Sequence, residues 1–175
     1  INEAVSNGCE AARYIPDVPS RRVGVDHNVS NSAVMVIRPQ TGEIMAMMGS
    51  VDYWNDEIDG KFNIAVDGLR QPGSSFKPFT YVTLLSQGYN PAHMFLDVRK
   101  AFEQGDGRPP YVPENYTRTY HGPVSMREAL AQSLNIPAVE AMSLAGIDNV
   151  LRTAHRMGIN TLDRGLQYYG LSLTL

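Results

Sequence analysis

The sequence predicts a mixed α/β fold of the α+β kind, in which a β-hairpin precedes a helical region. Three observations carry this. Two apolar runs, Ser32–Arg38 and Glu43–Gly49, flank the turn formers Pro39-Gln40-Thr41-Gly42, the pattern of paired strands joined by a short turn. After Ser74, the residues Phe76, Phe79, Thr80, Thr83 and Leu84 recur near the helical period, and Gly88 ends that helix. Further on, Ser125 and Glu128 precede Ala129, Leu130 and Ala131 with the spacing of a capping box.

In chain order, residues 1–31 are expected to form a helix and a connector, and residues 32–175 a domain. Ile1, Ala4, Val5, Cys9 and Ala12 fall along one side of a helix over Ile1–Ala12. Tyr14–Ser30 is punctuated by Pro and Gly, and its Arg21-Arg22 pair reads as a solvated patch. In the hairpin, Met45, Met47 and Met48 read as core filling. Val51–Asp59 is an acidic loop carrying the single Trp54. The helix after Ser74 is expected to be central and buried, with Val82 and Leu85 alongside its apolar face.

Asp97–Pro123 reads as one long loop rich in Gly, Pro and Tyr, whose Tyr111, Tyr116 and Tyr120 suit surface packing better than a cleft lining. Two more helices follow, over Pro137–Ala145 and Asp148–Met157, ended by Gly146 and Gly158.

Composition narrows the class of molecule. At 175 residues, 43% hydrophobic and with a net charge of -3, the chain suits one domain with a real core. Nothing in that balance points to nucleic-acid binding or disorder. No apolar run reaches the roughly 18–20 residues that span a bilayer, and no signal peptide is visible. Cys9 is the single cysteine, so no intrachain disulfide forms. His27, His93, His121 and His155 are scattered without metal-ligand spacing and read as surface or structural histidines. There is no Gly-rich phosphate loop, so no cofactor and no metal are expected.

The chemistry concentrates at Gly73-Ser74-Ser75-Phe76-Lys77-Pro78. On a helix, residues three apart share a face, which would let Ser74 Oγ and Lys77 Nζ meet. A serine hydroxyl is a poor nucleophile until a base takes its proton. A lysine in a dry pocket can be that base, because desolvation disfavours its charged form. Pro78 has no N–H to offer the Ser74 carbonyl, so a regular helix cannot run far upstream. Ser74 should therefore stand at a helix N-terminus, where free N–H groups favour developing negative charge. Taken alone, a serine in that position is more often just a cap.

The second element is Ser133-Leu134-Asn135. The helix opened by Ser125 should end near it, because Pro137 biases Ile136 away from helical geometry. A break there lets Ser133 and Asn135 point into a cleft. The hydroxyl can relay a proton, and the amide can bind a carbonyl or the lysine. Without Ser74 and Lys77, the same tripeptide would read as a polar turn between helices.

Together and in this order, the two elements resemble the motifs of penicillin-binding proteins and serine β-lactamases. The resemblance is closest to the transpeptidase domain of bifunctional, class A penicillin-binding proteins. The run Ala33–Gly49 resembles that family's first β-hairpin. Phe62-Asn63-Ile64-Ala65 and Arg70-Gln71-Pro72-Gly73-Ser74 resemble its approach to the nucleophile. Pro113-Glu114-Asn115-Tyr116 and Gly122-Pro123-Val124 resemble the segment leading to its second motif. The match runs from about Ser32 to the C-terminus, so residues 32–175 look like a transpeptidase domain.

That resemblance implies a serine D,D-transpeptidase. It cross-links peptidoglycan stem peptides ending in D-Ala-D-Ala through an acyl-enzyme, and β-lactams acylate the same serine. It casts Ser74 as nucleophile and Lys77 as base, with the Ser74 N–H as half of an oxyanion hole. Ser133 would pass a proton to the departing D-alanine, and Asn135 would orient the donor peptide and Lys77. The partners implied are stem peptides on lipid II-derived glycan strands, and no nucleic acid. The implied location is extracytoplasmic, on a parent anchored in the cytoplasmic membrane and carrying a glycosyltransferase domain.

One departure qualifies this. The family's third motif is Lys-Ser/Thr-Gly, whereas the lysines here begin Lys61-Phe62-Asn63, Lys77-Pro78-Phe79 and Lys100-Ala101-Phe102. The domain is therefore expected to be incomplete at its C-terminus, a hairpin plus a helical subdomain with later strands missing. An open strand edge would favour self-association. A catalytically silent binding or structural piece is the rival reading. A β-lactamase or carboxypeptidase is another, but no glutamate follows Glu140 to activate a deacylating water as class A β-lactamases require.

Overall fold

A computed structural model describes residues 29–105, 107–165 and 168–175. The expected helix over Ile1–Ala12, Cys9 and nearly all of the connector lie outside the described residues. The chain divides into two compact units between Arg70 and Gln71.

In the first unit, β1 (Val34–Ile37) pairs antiparallel with β2 (Ile44–Met48), Val34 opposite Met48 and Val36 opposite Ala46. The turn closes where the Gly42 N–H donates to the Arg38 carbonyl at 2.8 Å. The side chain of Asn31 donates to the Ile58 carbonyl and accepts from the Val51 N–H, tying the chain just before β1 to the loop that follows β2. A short helix α1 (Ile64–Asp67) is capped by Asn63, whose side chain accepts from the Ala65 N–H. Gly49 has to be glycine, because a Cβ there would lie 2.6 Å from the Asn63 backbone. Trp54 is exposed and lines a cleft of about 450 Å³ together with Met47, Asp52, Lys61 and Asn63.

The reading of the methionines as core is corrected here. Met45 and Met47 share one face of the ribbon and are 50% and 42% exposed, while Met48 is half-buried. A two-stranded sheet is too narrow to cover both of its faces.

In the second unit, a 3-10 turn (Gly73–Phe76) leads into α2 (Lys77–Ser86), which is followed by β3 (Met94–Asp97). Strand β4 (Gly122–Ser125) returns antiparallel to β3, Phe95 opposite Val124 and Asp97 opposite Gly122. Helices α3 (Met126–Ala131), α4 (Asn135–Ala145) and α5 (Ile147–Arg156) follow, then a 3-10 turn over Leu171–Thr174. The expected loop Asp97–Pro123 is thus tied at its mouth by two strands. Four residues each, one with Pro123 in a ladder position where it cannot donate, gave no period to detect.

The core is built on α4, where Ile136, Ala138, Val139, Ala141, Met142 and Ala145 are all buried. It packs on α2 through Tyr81 and Leu84 and on β3 through Phe95. The centre of the unit is therefore α4 rather than α2, where Val82 and Leu85 are exposed. Ile136 also departs from expectation by being helical. Pro137 sits in the first turn of α4, where no intrahelical N–H bond is lost, so the helix starts ahead of it. The capping box forms as read: Ser125 Oγ accepts from the Glu128 N–H, and the Glu128 carboxylate accepts from the Ser125 N–H at 2.8 Å.

Candidate active site

The four residues singled out in the sequence all fall in the second unit. Ser74 lies in the 3-10 turn one turn ahead of α2, rather than on the α-helix itself. Pro78 explains the turn: the Ser74 carbonyl, denied a donor four residues on, accepts from the Lys77 N–H instead. Gly73 leads in at φ +58°, a left-handed conformation suited to glycine. Ser74 is exposed, whereas the neighbouring Ser75 Oγ is tied to the Pro72 carbonyl at 2.5 Å.

Lys77 is the unusual group. It is 1% exposed, and its ammonium donates to the Ser133 carbonyl at 2.6 Å, to Ser133 Oγ at 3.1 Å and to Asn135 Oδ1 at 2.7 Å. Burial lowers its pKa to about 8. Each of the three N–H donors of an ammonium has an acceptor, and no carboxylate is among them. The direct Ser74–Lys77 hydrogen bond expected from the spacing is not formed, because those acceptors draw Nζ toward Ser133 and the start of α4. What the fold brings together is Lys77, Ser133 and Asn135, with Ser74 one 3-10 turn away.

Ser133 occupies a strained position. Its φ is +54°, in the left-handed region that side chains avoid. The bonds that close α3 require it. The Ser133 N–H donates to the Leu130 carbonyl and the Leu134 N–H to the Ala129 carbonyl, the pattern that ends a helix on a left-handed residue. Leu134 and Ala129 are both buried, the apolar contact that goes with such an ending. Glycine is the usual occupant there, so the hydroxyl is held at a backbone cost of about 1 kcal/mol.

Asn135 begins α4 and is gripped by Glu114 and Asn115, to which the sequence assigns no site role. Its side-chain Nδ2 donates to the Glu114 carbonyl at 2.8 Å, and its backbone N–H donates to Asn115 Oδ1 at 2.8 Å. Asn115 in turn donates to the fully buried carboxylate of Asp97. His121, read as merely structural, donates its backbone N–H to Asp97 Oδ2 at 3.0 Å and sets its ring Nδ1 2.7 Å from the same oxygen. These residues stand 18 to 24 positions from Asp97, with no motif spacing to connect them. Glu114 and Asn115 were visible only as part of the stretch that resembles the family. Tyr116 points fully into solvent.

Among the described residues no group of three or more His, Cys, Asp or Glu side chains could hold a metal ion.

The model of the penicillin binding protein transpeptidase domain matches residues 32–173. The chain belongs to this transpeptidase family. It is 33% identical over 150 residues to penicillin-binding protein 1A of Rickettsia bellii, covering 86% of this chain and 17% of that protein. It is 36% identical over 128 residues to penicillin-binding protein 1A of Escherichia coli, covering 73% of this chain and 15% of that one. It therefore spans less than a fifth of the length of these relatives.

The transpeptidase fold is also shared with solved structures. Penicillin-binding protein 1A of Haemophilus influenzae superposes with a TM-score of 0.66 at 31% identity, over 78% of this chain and 20% of that one. PonA1 of Mycobacterium tuberculosis in complex with penicillin V superposes with a TM-score of 0.61 at 26% identity, over 94% and 39%.

Proposed function

We propose that this chain carries the nucleophile half of a serine D,D-transpeptidase that cross-links peptidoglycan stem peptides. The carrying observation is Lys77, buried, lowered in pKa and held by Ser133 and Asn135 beside an exposed serine at the mouth of α2. In this reading Ser74 Oγ attacks the carbonyl of the penultimate D-alanine and passes its proton to neutral Lys77. The Ser74 N–H, in the 3-10 turn ahead of α2, faces the oxyanion. Ser133 Oγ carries the proton on to the departing D-alanine. Asn135 orients the lysine and the donor peptide. An amine from a neighbouring stem then takes the acyl group and releases Ser74.

The same reading makes β-lactams suicide substrates of Ser74, in keeping with the penicillin V complex of the related PonA1. It puts the site outside the cytoplasmic membrane, where stem peptides are cross-linked, on a membrane-anchored, glycosyltransferase-bearing protein. Among the described residues no helix is long and apolar enough to cross a membrane. The chain contains no Lys-Ser/Thr-Gly triplet, so the far wall of the site and the second oxyanion donor are not supplied by these 175 residues.

The deciding experiment is intact-mass spectrometry of the full-length gene product after incubation with benzylpenicillin, followed by peptide mapping. A single adduct on Ser74, lost in Ser74→Ala, is the expected result. A folded full-length protein that takes no adduct would overturn the assignment. An adduct in the full-length protein but not in the 175-residue chain would place the need for the third motif at the acylation step.

A further inference from the structure

We propose that Asn115, oriented by the buried Asp97 carboxylate, is a positioning residue that fixes Asn135 against Lys77. The inference rests on the proposed reading only for its catalytic consequence.

The donor and acceptor pattern allows one arrangement. Asn115 Nδ2 donates to Asp97 Oδ1 at 2.8 Å, to Asp97 Oδ2 at 3.0 Å and to the Thr119 carbonyl at 2.9 Å. All of those partners are acceptors, so the amide nitrogen has to face them. The oxygen is left pointing at α4, where it accepts the Asn135 N–H at 2.8 Å. Turning the Asn115 amide over would set its oxygen against a carboxylate and a carbonyl, and its NH2 against an N–H. Asp97 is 0% exposed and Asn115 4%, so water cannot stand in for either partner. The His121 backbone N–H donates to the same carboxylate and its ring Nδ1 lies 2.7 Å from it, so this buried group is surrounded by polar partners.

The consequence reaches Lys77 through one residue. The first N–H groups of a helix have no intrahelical partner, and at α4 Asn115 supplies one from outside. The neighbouring Glu114 carbonyl fixes the Asn135 side chain, leaving its oxygen to face Lys77 at 2.7 Å. One dipeptide therefore sets both the main chain and the amide of Asn135. Removing the Asn115 side chain frees the start of α4 and lets the Lys77 cradle drift. A misplacement of about 1 Å in a reacting group can cost about a hundredfold in rate.

The test compares wild type, Asn115→Ala and Asp97→Asn in the full-length gene product. Asp97→Asn keeps the side-chain volume while removing the charge that fixes the Asn115 amide, and serves if Asn115→Ala folds poorly. Hydrogen exchange, read on peptides covering Leu134–Ala138, should show the Asn135 amide exchanging at least about tenfold faster in Asn115→Ala, with the Met142 region unchanged. The rate of acylation by benzylpenicillin, per acylable site, should fall about 10- to 100-fold. A purely structural residue would lower the melting temperature and the acylable fraction and leave that rate alone. Equal exchange at Asn135, or an unchanged rate per acylable site, overturns the proposal. If wild type takes no adduct, the proposed function fails, and the exchange result alone decides whether Asn115 holds Asn135.

Discussion

Replacing Lys77 by methionine should slow acylation of Ser74 by about 10²- to 10⁴-fold, the range associated with a positioned general base. Methionine keeps the length and much of the volume of lysine, so the buried slot stays filled. What goes is the proposed proton acceptor and the donor that links Ser133 to Asn135. The pH profile provides a sharper reading. Burial holds the lysine pKa at about 8, below its ordinary 10.5. A base works only when neutral, so the acylation rate should rise with pH and level off above about 8. Below that midpoint the protonated fraction grows, and the rate should fall about tenfold for each pH unit. In Lys77→Met this limb should vanish. Stopped-flow acylation with a fluorescent penicillin across pH about 6 to 10 measures both effects. A methionine variant with the wild-type rate and slope would remove Lys77 from the base role.

Phe76→Ala should lower stability by about 3–5 kcal/mol, the usual cost of emptying a buried phenylalanine site. Phe76 is 1% exposed and packs on Phe79 with ring centroids 5.3 Å apart. It is also the residue immediately before Lys77, in the turn that carries Ser74. Pro78 deprives this turn of ordinary helical closure, so its anchorage falls on the ring. Denaturant unfolding should show a lower midpoint with an unchanged slope. The Ser74 acylation rate should drop with it, as the proposed nucleophile loses its fixed place relative to Lys77. A loss of stability below about 1 kcal/mol would show that the turn is held by something else.

The parts of this structure that could be read in the sequence are those set by local chemistry. The hairpin turn, the capping box at Ser125 and the glycines closing α2, α4 and α5 all act within a few residues, so spacing reveals them. The missing N–H of Pro78 is a local fact, and it also accounts for the 3-10 turn. What escaped notice depends on pairing across long separations. Strands β3 and β4 were too short to show a period, and Pro123 disguised one of them. Met45 and Met47 are apolar, as core residues are, yet burial depends on whether another layer covers that face. In the site, Ser74, Lys77, Ser133 and Asn135 stand out as residue types suited to the proposed chemistry, but the direct Ser74–Lys77 contact does not form. Two acceptors on Ser133 and one on Asn135 outcompete the serine of the preceding 3-10 turn. Asp97, Asn115 and His121 carry no spacing signal at all. Their grouping exists only once β3 and the following loop have closed on α4.

The left-handed residue at the end of α3 has an evolutionary consequence. Serine and glycine codons can differ by a single base, and at position 133 that one change would relieve the backbone while deleting the hydroxyl. Drift toward a sturdier protein and retention of chemistry therefore pull on the same codon in opposite directions. Libraries randomised at 133 should make the conflict visible. Sorting for heat resistance alone should enrich glycine, and sorting for penicillin capture should return serine. Glycine winning under both would mean that the hydroxyl has no part in the reaction.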